Sequence, residues 1–136
     1  MFKIGKGVKK ILLISFVASD EPIGILTLQA LVDKLLNNEQ ELLSNYTWYF
    51  IPVADPCYAK LNEGWFKDIY NIKSYILERF KVIEWKLPGS CGDYTFSHLT
   101  LKALAVKKAI DMVKPDLIVP LHNNDFSGLY FFLEYT

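Results

Sequence analysis

Apolar positions along this chain fall into short runs separated by longer periodic stretches, and the alternation predicts the elements. Ile11–Val17 (ILLISFV) is an apolar run of strand length, broken only by Ser15. From Pro22 onward Ile25, Leu28, Leu31, Val32, Leu35 and Leu36 recur at helical spacing. That pattern ends at Asn37-Asn38, and Glu39–Leu43 adds a further helical turn. Asp20-Glu21-Pro22 supplies acids and a proline for the first turn of this helix. Tyr46–Val53 (YTWYFIPV) is rich in β-branched and aromatic residues and predicts a strand, with Pro52 limiting its hydrogen bonding near the end. Residues 54–65 (ADPCYAKLNEGW) read as a loop. Residues 67–88 carry two signals: Ile72, Ile76 and Phe80 suit a helix, whereas Lys81-Val82-Ile83-Glu84-Trp85 alternates as a strand does. Gly89–Thr95 (GSCGDYT) reads as a loop again. Thr100–Val113 predicts a helix with Leu101, Leu104, Ala105, Lys108 and Met112 on neighbouring faces, stopped by Pro115. Leu117–Leu121 predicts a strand, and Leu129–Leu133 a last one. The order β-α-β-loop-α-β-β predicts an α/β fold, a mainly parallel or mixed sheet with helices on both faces.

Composition narrows the function classes. A chain of 136 residues with 51% hydrophobic and 22% charged residues has enough apolar surface for one domain with a core, and is not a disordered chain. Lys+Arg and Asp+Glu number 15 each, so no net charge draws it to nucleic acid or to an anionic membrane. Cys57 and Cys91 have no CxxC spacing and read as free thiols, with a single disulfide as the lesser alternative. Lysines at 3, 6, 9 and 10 ahead of Ile11–Ala18 imitate a secretory leader. The run is too short to span a membrane. The strand, loop and helix that follow form one unit, which favours Ile11–Val17 as the first and central strand of the core. A cytoplasmic location follows, with secretion as the alternative if residues 1–19 act as a leader.

Two strand ends carry the candidate chemistry. The first predicted strand runs into Ala18-Ser19-Asp20-Glu21, and Leu117–Leu121 runs into His122-Asn123-Asn124. Ligands of open α/β sheets bind at the carboxyl ends of parallel strands. A lone histidine at such a place more often hydrogen-bonds a loop than binds a metal or substrate. Two strand ends that turn polar in the same way favour a shared site of Glu21 and His122.

These stretches, with Ala54-Asp55-Pro56 and Leu61-Asn62-Glu63-Gly64-Trp65-Phe66, resemble the zinc carboxypeptidase family, nearest to its branch of bacterial carboxypeptidases and desuccinylase-like proteins. That family carries His-x-x-Glu after an early strand, often as His-x-Asp-Glu-Pro-x-Gly where this chain has ASDEPIG, and a third ligand, His, at the end of a later strand. The resemblance covers nearly the whole chain. It implies zinc as cofactor, a peptide or amino-acid-derived substrate, and hydrolysis of a C-terminal peptide or amide bond. It also implies Glu21 and His122 as metal ligands. Catalytic zinc takes three protein ligands and one water, whose pKa the metal lowers.

The departures from the family pattern are specific. The first ligand position holds Ala18, which cannot bind a metal. The family's general base is a glutamate on a strand well after the third ligand; here the chain reaches Thr136 soon after His122, and Glu134 is too close in sequence to match it. Related proteins read Asp-Gly-Ala-Arg where this chain has Cys57-Tyr58-Ala59-Lys60, so Lys60 keeps the charge of the substrate-holding arginine without its bidentate fork. Arg79, the only arginine, is the second weak candidate for substrate binding. His98, the only other histidine, lies outside the motif and reads as a surface or helix-start residue. Met1–Lys10 is too short for the strands the family has ahead of this one. The chain therefore reads as a partial domain of the family, with catalysis not expected. Two alternatives stay open: a non-catalytic relative that binds a peptide end, and an unrelated α/β domain in which Glu21 and His122 are structural.

Overall fold

The computed structural model describes residues 1–80, 89–96 and 100–123. In chain order the elements are β1 (Phe2–Gly5), β2 (Lys9–Ile14), α1 (Ile23–Asn38), α2 (Gln40–Asn45), β3 (Tyr46–Ile51), α3 (Pro56–Leu61), α4 (Glu63–Phe66), α5 (Ile72–Glu78), β4 (Gly89–Cys91), β5 (Tyr94–Phe96), α6 (Leu101–Val113) and β6 (Leu117–Pro120). Four strands form one mixed sheet in the order β1-β3-β2-β6. Both neighbours of β2 run parallel to it, with Ile11 opposite Trp48 on one side and Leu117 on the other. β1 pairs antiparallel with β3 at the edge. This is the α/β architecture that the periodicity predicts.

The side chains of β2 explain how the layers are placed. Ile11 and Leu13 pack with Phe50 and with Leu28 and Leu35 of α1. Leu12 and Ile14 point the other way and pack with Val17, Ala54 and Val106 of α6. Successive residues of a strand face opposite sides, so an almost unbroken apolar run is what a strand covered on both faces requires. Helices accordingly lie on both faces of the sheet. Burying each such side chain stabilises the fold by about 1.5–3 kcal/mol. β6 is tied to β2 from the residue just before its start. The Asp116 amide donates to the Lys10 carbonyl at 2.8 Å, and the Asp116 carboxylate accepts from the Lys10 amide and from Lys9 Nζ at 2.9 Å each. The bond from the Lys10 amide, then that from Lys9, hold the Asp116 carboxyl below its ordinary pKa.

Several local expectations are corrected. Met1–Lys10 is long enough for one more strand: β1 fits because Phe2 stacks on Phe50 with ring centroids 4.9 Å apart. Asp20 and Glu21 precede α1 rather than occupy its first turn; Pro22 is the N-cap and no acid lies in that turn. The loop predicted for residues 54–65 is largely helical. Asp55 caps α3 by accepting from the Tyr58 amide at 3.2 Å, and Pro56 follows at the position where a missing N–H costs nothing. Residues 89–96, predicted as loop up to Thr95, form a two-stranded hairpin turning at Gly92 (φ +56), where a side chain would be strained. α6 does end at Val113 as the sequence predicts, with Lys114 in the left-handed conformation (φ 49) just before Pro115. Its core-facing side is Lys102, Ala103, Val106 and Val113, whereas Leu101, Leu104 and Met112 are exposed. The strands predicted at 81–85 and 129–133, as well as His98 and Glu134, lie outside the described residues. Among the described residues no helix is long and apolar enough to cross a membrane.

Gly24 sets how closely α1 approaches the sheet. A Cβ added there would meet Ser15 Oγ at 2.5 Å, Ser15 Cβ at 3.1 Å and Leu121 Cβ at 3.3 Å. The glycine of the DEPIG stretch therefore lets the helix start lie on the ends of β2 and β6. Gly24→Ala is expected to lower unfolding stability by about 1–3 kcal/mol through overpacking, measured by urea denaturation. Adding Ser15→Ala removes the nearest contact and should restore part of the loss; a single variant as stable as the parent would contradict the packing argument.

Candidate functional site

The site is built on the turn between β2 and α1. Past Ile14 the chain keeps parallel pairing for one more residue, with the Ser15 amide donating to the Ile51 carbonyl at 2.9 Å and the Ala54 amide to the Ser15 carbonyl at 3.0 Å. Phe16 then takes a left-handed backbone (φ 51), a costly choice for a bulky residue at about 1–2 kcal/mol. Its ring packs edge-on against Phe66, with centroids 5.8 Å apart. This bend swings the following residues out over the carboxyl end of the sheet. The Glu21 amide closes the turn on the Ala18 carbonyl at 3.1 Å.

From there Glu21 reaches the end of the neighbouring strand. Its Oε2 lies 2.8 Å from His122 Nδ1 and accepts from the Asn123 amide at 3.2 Å. In the tautomer that carries its proton on Nδ1, His122 donates to this carboxylate. The two side chains are partly accessible, 20% for Glu21 and 33% for His122. Because β2 and β6 are adjacent and parallel, two residues separated by 101 positions meet at one sheet end.

Three further residues of the turn, Val17, Ser19 and Asp20, are each held by a different residue from elsewhere in the chain. Lys102, buried on α6, donates to the Val17 carbonyl at 3.1 Å and pairs with Asp55 Oδ2 at 3.4 Å. Asn62, fully buried between α3 and α4, donates to the Ser19 carbonyl at 3.0 Å. Arg79 Nε donates to Asp20 Oδ2 at 2.7 Å. Among the described residues the buried Ser19 Oγ and Asn123 Oδ1 have no hydrogen-bond partner. Buried oxygens of this kind are nearly always bonded in native proteins, so both atoms have polar capacity that the described residues do not use.

The fit to zinc is partial. Ligand bonds of about 2 Å in a tetrahedral site separate two ligand atoms by about 3.3 Å. The Nδ1–Oε2 separation of 2.8 Å is close to that, so a small opening would let both atoms face one ion. A third donor is not supplied: Ala18 offers a methyl group, and among the described residues no three His, Cys, Asp or Glu side chains gather. The described residues do not complete a catalytic zinc site.

Of the residues singled out in the sequence, Glu21 and His122 are brought together. Arg79 lies beside Asp20, next in sequence to Glu21, and its guanidinium sits 4.3 Å from the centre of the Tyr75 ring. Lys60 is exposed on α3, with no bond or ion pair to Glu21 or His122. Cys57 is an exposed free thiol on the same helix. Asp20, Asn62 and Lys102 are site residues that the sequence did not single out. Asp20 and Asn62 stand inside the quoted motifs, whereas Lys102 carries no local signal beyond sharing a helix face with Val106 and Val113. No family model, curated protein or solved structure matches this chain.

Proposed function

We propose that this chain is a domain of the zinc carboxypeptidase type that keeps two donors of the metal centre, Glu21 and His122, and has lost the first at Ala18. Its partner is a peptide end or an amino-acid-derived amide, and as it stands it does not hydrolyse it. One observation carries the reading: the 2.8 Å contact of Glu21 with His122 at the carboxyl ends of adjacent parallel strands, where the resemblance puts two ligands of one ion. Ser19 Oγ in the same turn as Glu21, and Asn123 Oδ1 next in sequence to His122, are buried with no partner among the described residues, which supports a site that receives a ligand. Lys9–Ile14 at the centre of the sheet supports a run retained in the folded chain, and with it a cytoplasmic location.

The second reading, an unrelated α/β domain, has its own support. Glu21 stands immediately before the N-cap Pro22, where a carboxylate favours the helix dipole, and its bond to the Asn123 amide caps a loop. Zinc titration of the parent chain and of Ala18→His separates the two. Two protein donors leave the parent a weak binder, and the histidine restores His-x-x-Glu on a turn already held in place. Outer partners of metal ligands alone are worth 10–100-fold in affinity, so a restored ligand should tighten binding by at least about tenfold. A parent chain that binds one zinc tightly, or a variant that binds no better, would overturn the assignment of position 18.

A further inference from the structure

We propose that Arg79 is a positioning residue: through Asp20 it aims Glu21 at His122, with Asn62 as the second anchor of the same stretch. Its metal readout rests on the carboxypeptidase reading above; its structural readout does not.

Arg79 grips Asp20 directly, and Asn62 links Ser19 to Phe80, the residues next to that pair. Arg79 Nε donates to the Asp20 carboxylate at 2.7 Å. The Asn62 side chain joins the Ser19 carbonyl, at 3.0 Å from Nδ2, to both backbone groups of Phe80, whose carbonyl accepts from Nδ2 at 3.1 Å and whose amide donates to Oδ1 at 2.7 Å. The end of α5 is thereby fastened to the turn at adjacent positions, and Glu21 is the next residue along. The arrangement is also directional. The guanidinium lies over Tyr75 at 4.3 Å, and Tyr75 stands edge-on to the buried Trp65 with centroids 5.8 Å apart, so the plane of Arg79 is fixed from behind. With the Arg79 side chain only 14% exposed and Asp20 only 5%, the pair is kept from water. An arginine whose Nε is engaged by a buried carboxylate has its charge matched within the protein. That suits holding the turn better than meeting a substrate carboxylate. The left-handed Phe16 at the other end of the turn makes such holding necessary, since strained backbone persists only where its surroundings over-determine it.

The test uses Arg79→Lys, Arg79→Gln and the double variant Asp20→Asn/Arg79→Gln, which leaves neither charge buried alone and so protects folding. Without metal, the Nδ1–H signal of His122 is followed by proton–nitrogen NMR, with Glu21→Gln as the reference for loss of the carboxylate. The signal is expected in the parent chain and in Arg79→Lys, and lost from Arg79→Gln and from a double variant whose circular dichroism shows it folded. Loss with glutamine and retention with lysine is a pattern that a role in stability alone does not produce. Persistence of the signal in the folded double variant overturns the proposal. In the Ala18→His background, cobalt titration followed by visible absorption should show affinity falling by about tenfold on adding the double change, the size usual for lost outer-shell support. An Ala18→His chain that binds neither zinc nor cobalt would sink the metal reading and leave the NMR result to decide the role of Arg79.

Discussion

Phe50→Ala is expected to lower the free energy of unfolding by about 3–5 kcal/mol, the usual cost of emptying a core aromatic site. Phe50 is fully buried in β3 and packs with Ile11 and Leu13 of β2 and with Leu28 and Leu35 of α1. The space it fills lies between a sheet and a helix that Gly24 already lets approach closely, so little collapse is available to refill it. The same ring is the platform for Phe2, which it stacks on at 4.9 Å, and Phe2 and Phe50 are register partners. The variant should therefore also release β1. Urea unfolding followed by tryptophan fluorescence gives the total loss, and amide exchange of residues 2–5 gives the release of the edge. A loss below about 1 kcal/mol would mean that Phe50 is not at the centre of this core.

Lys102→Met should cost a similar amount, about 3–5 kcal/mol, for a different reason. Lys102 and Asp55 have side chains 6% and 9% exposed, and removing the ammonium leaves the carboxylate buried without its counter-charge. The Val17 carbonyl loses its donor as well. Adding Asp55→Asn removes the stranded charge and keeps a side-chain oxygen for the α3 cap, so more than half of the stability should return. The cycle of parent, two single variants and the double isolates the coupling. If the two losses simply add, Lys102 and Asp55 are not an ion pair of consequence, and Lys102 acts on the turn through its bond to the Val17 carbonyl alone.

The parts of this fold that were legible in the sequence are those whose signal is local and periodic. The helical spacing from Ile25 to Leu36 and the apolar run at Ile11 report buried faces directly. The strand ends at Glu21 and His122 were legible because each marks the switch from an apolar run to polar residues. The missed elements have short-range signals that compete with loop chemistry. Asp55-Pro56 is an N-cap followed by a first-turn proline, yet the same pair opens turns. Gly92-Asp93 closes a hairpin too short to show strand alternation. The buried face of α6 has no clear signal in the sequence, because it carries a lysine and small residues, and Asp55 and the Val17 carbonyl make that lysine tolerable there. The structural roles of Asn62 and Arg79 have no local signal: their partners lie at Ser19, Asp20 and Phe80, and no residue spacing announces them.

The parallel pairing of β2 with two neighbours has a temporal side. β3 is reached from β2 through α1 and α2, but β6 only after more than twice that length of chain. Closing a flexible loop costs about 0.6 kcal/mol more for each doubling of its length, and distant pairings form slowly. The β1-β3-β2 half with α1 can therefore assemble first, and β6 adds to a surface already in place. Glu21 is on the early half and His122 at the tip of the late strand, so the contact between them doubles as the signature of the finished sheet. A chain caught before β6 docks would have its core half built and no site at all.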